Sequence, residues 1–325
     1  MKQVLLVGAG NLGKRHLQSL KSSDFDLGIT VVEPSVEAAE AARSAFNATE
    51  LVGGAKELKF VKAINQVDVE PDVAIIATPA TGRLELLSEV LRQGARFVVL
   101  EKVAFNSVLD IDEAVALVND SRAKVWVNCP RRLNPIYQSL RNELAGAGLK
   151  RLEVSGTNFG LACNFVHFID LFAYLTGEAE YEVSLLGIER VEPSKRSSYI
   201  EFGGSASGEF RSGLPFEMEC ELSDAAGISV QVRIMTDAGD VLIDEVGGEI
   251  SYLNSAGNVE NRVPYQQPFQ SQLTGPLVDE LLSDGACGLT PFDESMALHY
   301  PYIDAAYSLY ASKFGSNSRK MVPVT

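Results

Sequence analysis

The sequence predicts an α/β fold: an N-terminal doubly wound parallel sheet, then a C-terminal α+β domain on a large, open, mostly antiparallel sheet. Three observations carry this reading. Short continuous apolar runs alternate with helical periods up to about residue 128, a glycine-rich turn joins the first run to the first helix, and beyond about residue 150 the apolar period drops to two. Continuous apolar strands separated by helices belong to a parallel sheet covered on both faces, whereas alternation marks a sheet with one wet face.

In order, "QVLLVGAG" reads as a buried strand, "LGKRHLQSLKS" as a helix, "LGITVVEP" as a second strand and "SVEAAEAARSAF" as a second helix. Strand "PDVAIIATP", helix "RLELLSEVLRQG", strand "RFVVLEKV", helix "LDIDEAVALVND" and strand "KVWVNC" complete the first half. Later, "SSYIEFGG", "SASGEFRSG", "FEMECELSD", "ISVQVRIMTD", "DVLIDEVGG" and "EISYLNS" read as strands between turn residues. The segments "FQSQLTGPLVDELLSDG" and "PFDESMALHYPYIDAAYSLYASKF" return to the helical period. The expected domains are residues 1–128 and 129–325.

A chain of 325 residues exceeds what one core usually serves, which agrees with two domains. The net charge of -15 repels nucleic acid and anionic membrane, so neither is an expected partner. No run reaches the length of a membrane span, and the apolar run in "MKQVLLVGAG" is too short for a signal peptide, so a cytoplasmic location is expected. Cys129, Cys163, Cys220 and Cys287 lack paired spacing and histidines stand only at 16, 167 and 299, so neither disulfides nor a metal site are expected.

Gly8, Gly10 and Gly13, with Asn11 and Leu12 between the last two, form a G-x-G-x-x-G that leaves a strand and opens a helix. That context is the Rossmann phosphate turn, where backbone N–H groups and the helix dipole receive a pyrophosphate. Glu33 ends the second strand, where an acid hydrogen-bonds an adenosine ribose. A carboxylate there repels a 2′-phosphate, so NAD is expected over NADP. A methyltransferase, whose cofactor also offers a ribose, is the alternative that the glycine spacing disfavours.

The series "GAGNLGKRH", "AIIATPA", "VVLEKV", "NCPRRLNP" and "NFVHFIDLFAYLTG" resembles the glucose-fructose oxidoreductase, inositol dehydrogenase and rhizopine catabolism (Gfo/Idh/MocA) family of NAD(P)-dependent dehydrogenases. The resemblance implies an oxidoreductase acting on a sugar, inositol or nucleotide-sugar-like alcohol or ketone, and a homodimer or homotetramer formed through the C-terminal sheet. It places Glu101 and Lys102 beside the nicotinamide, Thr78 and Pro79 along the cofactor, and Asn128 and Arg132 at the substrate. Lys102 ends a buried strand at the carboxyl edge, where ligands of open α/β sheets bind. The chain departs from the family where Val103 replaces the proline, often cis, after the lysine. Cis bonds before other residues are rare, so the loop is expected to sit differently. Ala80 and Arg83 stand where an asparagine and a histidine are common, and Cys163 where an aspartate is common.

His167 and Asp170 lie three apart on one face of an otherwise apolar helix, with Tyr174 a turn further and Asn164 a turn before. The resemblance makes His167 the base, with Asp170 its catalytic partner and Asn164 at the substrate. The structural alternative is a core histidine on a carbonyl, with Asp170 satisfying a loop or an arginine. His16 is expected to pack or to lie near the phosphates, Cys163 to act as a small hydrophobe, and His299 to lie at a surface or an interface. The lost aspartate and proline keep open a second function, a non-catalytic dinucleotide-binding regulator or assembly protein on the same scaffold.

Overall fold

The structure, a computed structural model, describes residues 1–194 and 198–325. The first half runs β1 (Lys2–Val7), α1 (Asn11–Ser19), β2 (Leu27–Val32), α2 (Val36–Ala48), β3 (Lys56–Val61), β4 (Val73–Ile76), α3 (Arg83–Arg92), β5 (Phe97–Glu101), α4 (Val108–Asn119) and β6 (Lys124–Asn128). Next come α5 (Pro135–Leu144), β7 (Leu149–Thr157), α6 (Leu161–Thr176), β8 (Tyr181–Pro193), β9 (Ile200–Phe210), β10 (Pro215–Glu221) and β11 (Ser229–Thr236). The chain closes with β12 (Gly239–Asp244), β13 (Glu249–Asn254), β14 (Val259–Pro264), α7 (Gln270–Asp284), β15 (Thr290–Pro291) and α8 (Phe292–Phe314). Two compact units form, one of Met1–Phe105, Asp110–Pro130 and Pro268–Asp293, the other of Asn106–Leu109, Arg131–Gln267 and Glu294–Thr325.

The first unit holds a seven-stranded sheet in the order β15-β6-β5-β4-β1-β2-β3. Only the short β15 runs antiparallel, on β6, and the rest follow the doubly wound 3-2-1-4-5-6 order. The apolar residues of β1, β4 and β5 are buried, as strands covered on both faces must be. β3, which the apolar runs do not announce, is the edge strand, and its Glu57–Phe60 stretch alternates charged, exposed residues with half-buried apolar ones because one face meets water.

Residues 268–293 return to this unit, which the boundary at 128/129 leaves out. Polar contacts at the start of the chain fix α7 there. Gly275 N donates to Ser19 Oγ at 3.0 Å, and Asp279 accepts from Ser23 Oγ at 2.5 Å and from Asp24 N at 2.9 Å. An apolar period predicts such a helix but cannot say which core it covers.

The second unit is an eight-stranded sheet in the order β14-β13-β12-β11-β7-β10-β9-β8. All its pairs are antiparallel except β7 with β10. Its inward face carries an aromatic core. Phe165 of α6 stacks on Tyr302 at 4.3 Å, and Phe165 and Phe172 both meet Phe216 of β10. The buried tyrosine hydroxyls are satisfied, Tyr302 by Ala162 O and Tyr181 by Leu298 O.

The segments "SSYIEFGG" and "SASGEFRSG" prove to be one strand, β9, although Ser197 of the first lies outside the described residues. The Gly203–Gly204 pair that reads as a turn faces the irregular stretch of β8, whose register shifts at Ser184/Gly187 and Ile188/Arg190. These bulges break the period of two, which is why β8 is hard to read. His299 departs from expectation too. It is fully buried, with Nδ1 on Ser295 O at 2.7 Å.

Candidate functional site

In the first unit the strand registers align one row of residues at the carboxyl edge. Val7 pairs with Val32 and Ile76, Ile76 with Leu100, and Leu100 with Val127. One step further along β1, β2, β4, β5 and β6 therefore stand Gly8, Glu33, Ala77, Glu101 and Asn128. This is the edge where open parallel sheets bind ligands.

The glycine turn has the shape of a pyrophosphate cradle. Gly8 has φ +91°, which disfavours a side chain, and a Cβ on it would lie 3.0 Å from Thr78 Cγ2. A Cβ on Gly13 would lie 2.0 Å from Gly8 O, so α1 can approach the turn only with glycine there. Around Gly10 the space is open, and α1 begins with neither a side-chain cap nor an acid in its first turn. Its N–H groups and dipole thus suit an anion. Leu12 is half-buried and Asn11 exposed. Glu33 accepts from Ala9 N at 2.8 Å and from Ser35 N at 2.9 Å, one bond per oxygen. Each oxygen keeps a lone pair for a ribose hydroxyl.

Glu101 is the centre of a buried network. Its Oε1 bonds His16 Nε2 at 2.8 Å and accepts from Asn128 Nδ2 at 2.5 Å. His16 Nδ1 meets Thr274 Oγ1 at 2.8 Å, and Gln270 Nε2 donates to that hydroxyl at 2.9 Å. Gln270 Oε1 also accepts from Asn128 at 2.9 Å. Burial pushes the Glu101 carboxyl up, but the hydrogen bond and charge of His16, helped by Asn128 and Lys102, outweigh it and hold the carboxyl below its ordinary value. Lys102 follows, half-exposed between buried neighbours. The Lys102–Val103 peptide bond is cis, the form that a valine there makes unexpected.

Pro79 is exposed and Thr78 half-buried. Thr78 Oγ1 and Asn128 Oδ1 are buried polar atoms without a hydrogen-bond partner among the described residues. Orphaned polar atoms at Thr78, beside the glycine turn, and at Asn128, three strands from β1 along the same edge, fit a bound nicotinamide dinucleotide. His16, Gln270 and Thr274 were not among the expected site residues. His16 offered a signal, since it lies three residues after Gly13 and so on the face of α1 that packs inward.

In the second unit α6 carries the other expected residues. Eleven of its residues are buried, while Cys163, Asn164, His167 and Tyr174 are half-exposed along one side. Nδ1 of His167 is buried. Asn164 Nδ2 donates to Phe159 O in the turn that opens the helix. Asp170 is fully buried and bonded by Arg132, Nε to Oδ2 and Nη2 to Oδ1, both at 2.9 Å. Arg132 also reaches Glu294 at 2.6 Å and lies over the Tyr174 ring. The expected catalytic aspartate and the expected substrate arginine are thus bonded to each other.

Among the described residues no group of three or more His, Cys, Asp or Glu could hold a metal ion, and no helix is long and apolar enough to cross a membrane. Residues 2–129 match the model of an oxidoreductase family with an NAD-binding Rossmann fold. An inositol 2-dehydrogenase of Rhizobium meliloti is 24% identical over 149 residues, which span 46% of this chain but only 42% of that relative. Biliverdin reductase of Synechocystis, solved with biliverdin and NADP+, shares the fold with a TM-score of 0.72 at 14% identity, over 94% of this chain and 98% of that one. Scyllo-inositol dehydrogenase of Lactobacillus casei, solved with NAD(H) and scyllo-inositol, gives 0.67 at 16% identity, over 94% and 95%. Over residues 2–129 the chain is therefore similar to the Gfo/Idh/MocA oxidoreductase family, whose model describes an NAD-binding Rossmann fold.

Proposed function

We propose that the protein is an NAD-dependent dehydrogenase that acts on the CH–OH group of a sugar, inositol or nucleotide-sugar-like compound, or on the matching ketone. One observation carries the reading: Gly8, Glu33, Ala77, Glu101 and Asn128 form a single row at the carboxyl ends of five adjacent parallel strands. The row carries a phosphate cradle, a ribose acceptor and, next to Glu101, the half-exposed Lys102. Inositol dehydrogenases among the relatives support the substrate class.

The glycine turn would hold the pyrophosphate, Glu33 the adenosine ribose, and Thr78, Pro79, Glu101 and Asn128 the nicotinamide end. The bound dinucleotide supplies or accepts the hydride. Lys102 donates a hydrogen bond to the substrate oxygen and favours the charge that develops on it. His167 takes the hydroxyl proton through Nε2, because Nδ1 is buried. Asp170, engaged by Arg132, holds α6 and the turn before α5 in place, and Arg132 and Asn164 support the substrate side through that frame. The negative charge of Glu33 favours NAD over NADP.

Trp126, the only tryptophan, lies buried in β6. Energy transfer from it to NADH and to NADPH, titrated with and without inositols, sugars and nucleotide-sugars, tests the reading. Tighter NADH binding and hydride exchange with one of these compounds are expected. Equal or tighter NADPH binding would remove the cofactor preference. NADH binding without any hydride exchange would favour a dinucleotide-binding regulator.

A further inference from the structure

Arg83 is the largest of the fully buried side chains, 1% exposed at the start of α3. Its Nη1 donates to the carbonyls of Glu101 at 2.5 Å, Val103, and Ala104 at 2.9 Å. Its Nη2 donates to Thr78 O. The carbonyls it holds in the first loop stand on both sides of Lys102 in the chain, and the fourth belongs to the other cofactor loop. From Phe97 to Val108 every residue except Lys102 is buried. Carbonyls buried in a loop need donors, and a planar guanidinium can serve several at once while keeping its charge at any pH. A neutral imidazole has one N–H to give.

We propose that Arg83 is a positioning residue for Lys102: it bolts the loop around the lysine to the Thr78 loop and so sets where the ammonium stands against the cofactor. The Glu101 side chain is pinned separately by His16 and Asn128, so Arg83 governs the backbone of the loop and His16 the side chain before it. The proposal rests on Lys102 facing the nicotinamide.

Reductive methylation of Lys102 in the full chain, quantified by peptide mass spectrometry with and without NADH, tests it without needing the substrate. In the wild type NADH is expected to protect Lys102. In Arg83→Lys, which keeps the charge but not the fork, most of that protection should be lost. NADH affinity, read from Trp126 energy transfer, should stay within about threefold, because the glycine turn supplies the grip. Arg83→Ala should lose the same protection and regain it in millimolar guanidinium. Protection unchanged in both variants, with or without a lower melting temperature, overturns the role of Arg83 while leaving that of Lys102. Absence of protection in the wild type overturns the reading of Lys102, and the proposal with it.

Discussion

Arg132 grips Asp170 with two parallel hydrogen bonds of 2.9 Å, and neither residue is more than 6% exposed. The two sides of the pair are not equal. Arg132 serves two carboxylates, Asp170 and Glu294 at 2.6 Å, so its loss strips a cation from both, whereas Asp170→Asn leaves it on Glu294. Burial pushes the guanidinium pKa down, but the Asp170 charge and hydrogen bonds outweigh it and raise it above the ordinary value. Breaking a buried pair costs ~3–5 kcal/mol when one charge is left without compensation. Arg132→Leu should therefore cost more stability than Asp170→Asn, and joining it with Asp170→Leu should recover part of the loss. Urea unfolding of the three variants checks the order, and equal losses in the single variants would contradict it.

The His16–Glu101 bond predicts a loss in the first unit. Removing a donor from a buried carboxylate costs ~1–3 kcal/mol, more where the group is charged. His16→Ala should lower stability by that order and weaken NADH binding, because Glu101 is then held only by Asn128. His16→Gln can offer an amide donor at similar reach and should restore most of both. Chemical denaturation together with NADH titration of the two variants reads the effect.

Glu245 links pH to the stability of the second unit. It accepts from Arg131 at 2.8 and 2.6 Å and from Tyr137 at 2.7 Å. Burial pushes its carboxyl up, but the Arg131 charge and hydrogen bonds, with the Tyr137 and Tyr265 hydroxyls, hold it below its ordinary 4.5. A carboxyl depressed in the fold contributes stability that is complete above its unfolded value and is lost as pH falls through the folded one. Unfolding free energy should thus hold steady above about pH 5 and fall below about pH 4.5. Glu245→Gln should be less stable at neutral pH and show a shallower acid limb. An acid limb as steep as the wild type's would rule out this source.

The residues whose placement depends on position along one strand or helix were legible in the sequence. Gly8, Gly13 and Glu33 follow from strand, turn and acid spacing, because those contacts are set locally. His167 and Tyr174 share a half-open side of α6, as helical spacing requires. What could not be read depends on distant partners. Arg83 looked like a departure from a motif, yet its guanidinium serves carbonyls about twenty residues on. Thr274 and Gln270 reach His16 across more than 250 residues of chain, and no period or spacing encodes that meeting. The Asp170–Arg132 bond is intermediate: an arginine partner was one open alternative, and only coordinates identify Arg132 as that partner.

Lys102 and His167 are proposed to act on one substrate oxygen, the first by hydrogen bond and charge, the second as base. General acid–base groups contribute typically 10²–10⁴-fold, so Lys102→Ala and His167→Ala should each lower turnover by about that range. Neither residue lies in the glycine turn, so NADH affinity should persist in both. Groups that act as a unit lose function non-additively, and the double variant should be little worse than the weaker single one. Steady-state rates with whichever inositol or sugar turns over, set beside NADH titrations of the same variants, decide the matter. Multiplicative losses would mean that the two residues serve separate steps, and unchanged rates in both single variants would overturn the assignment of the site.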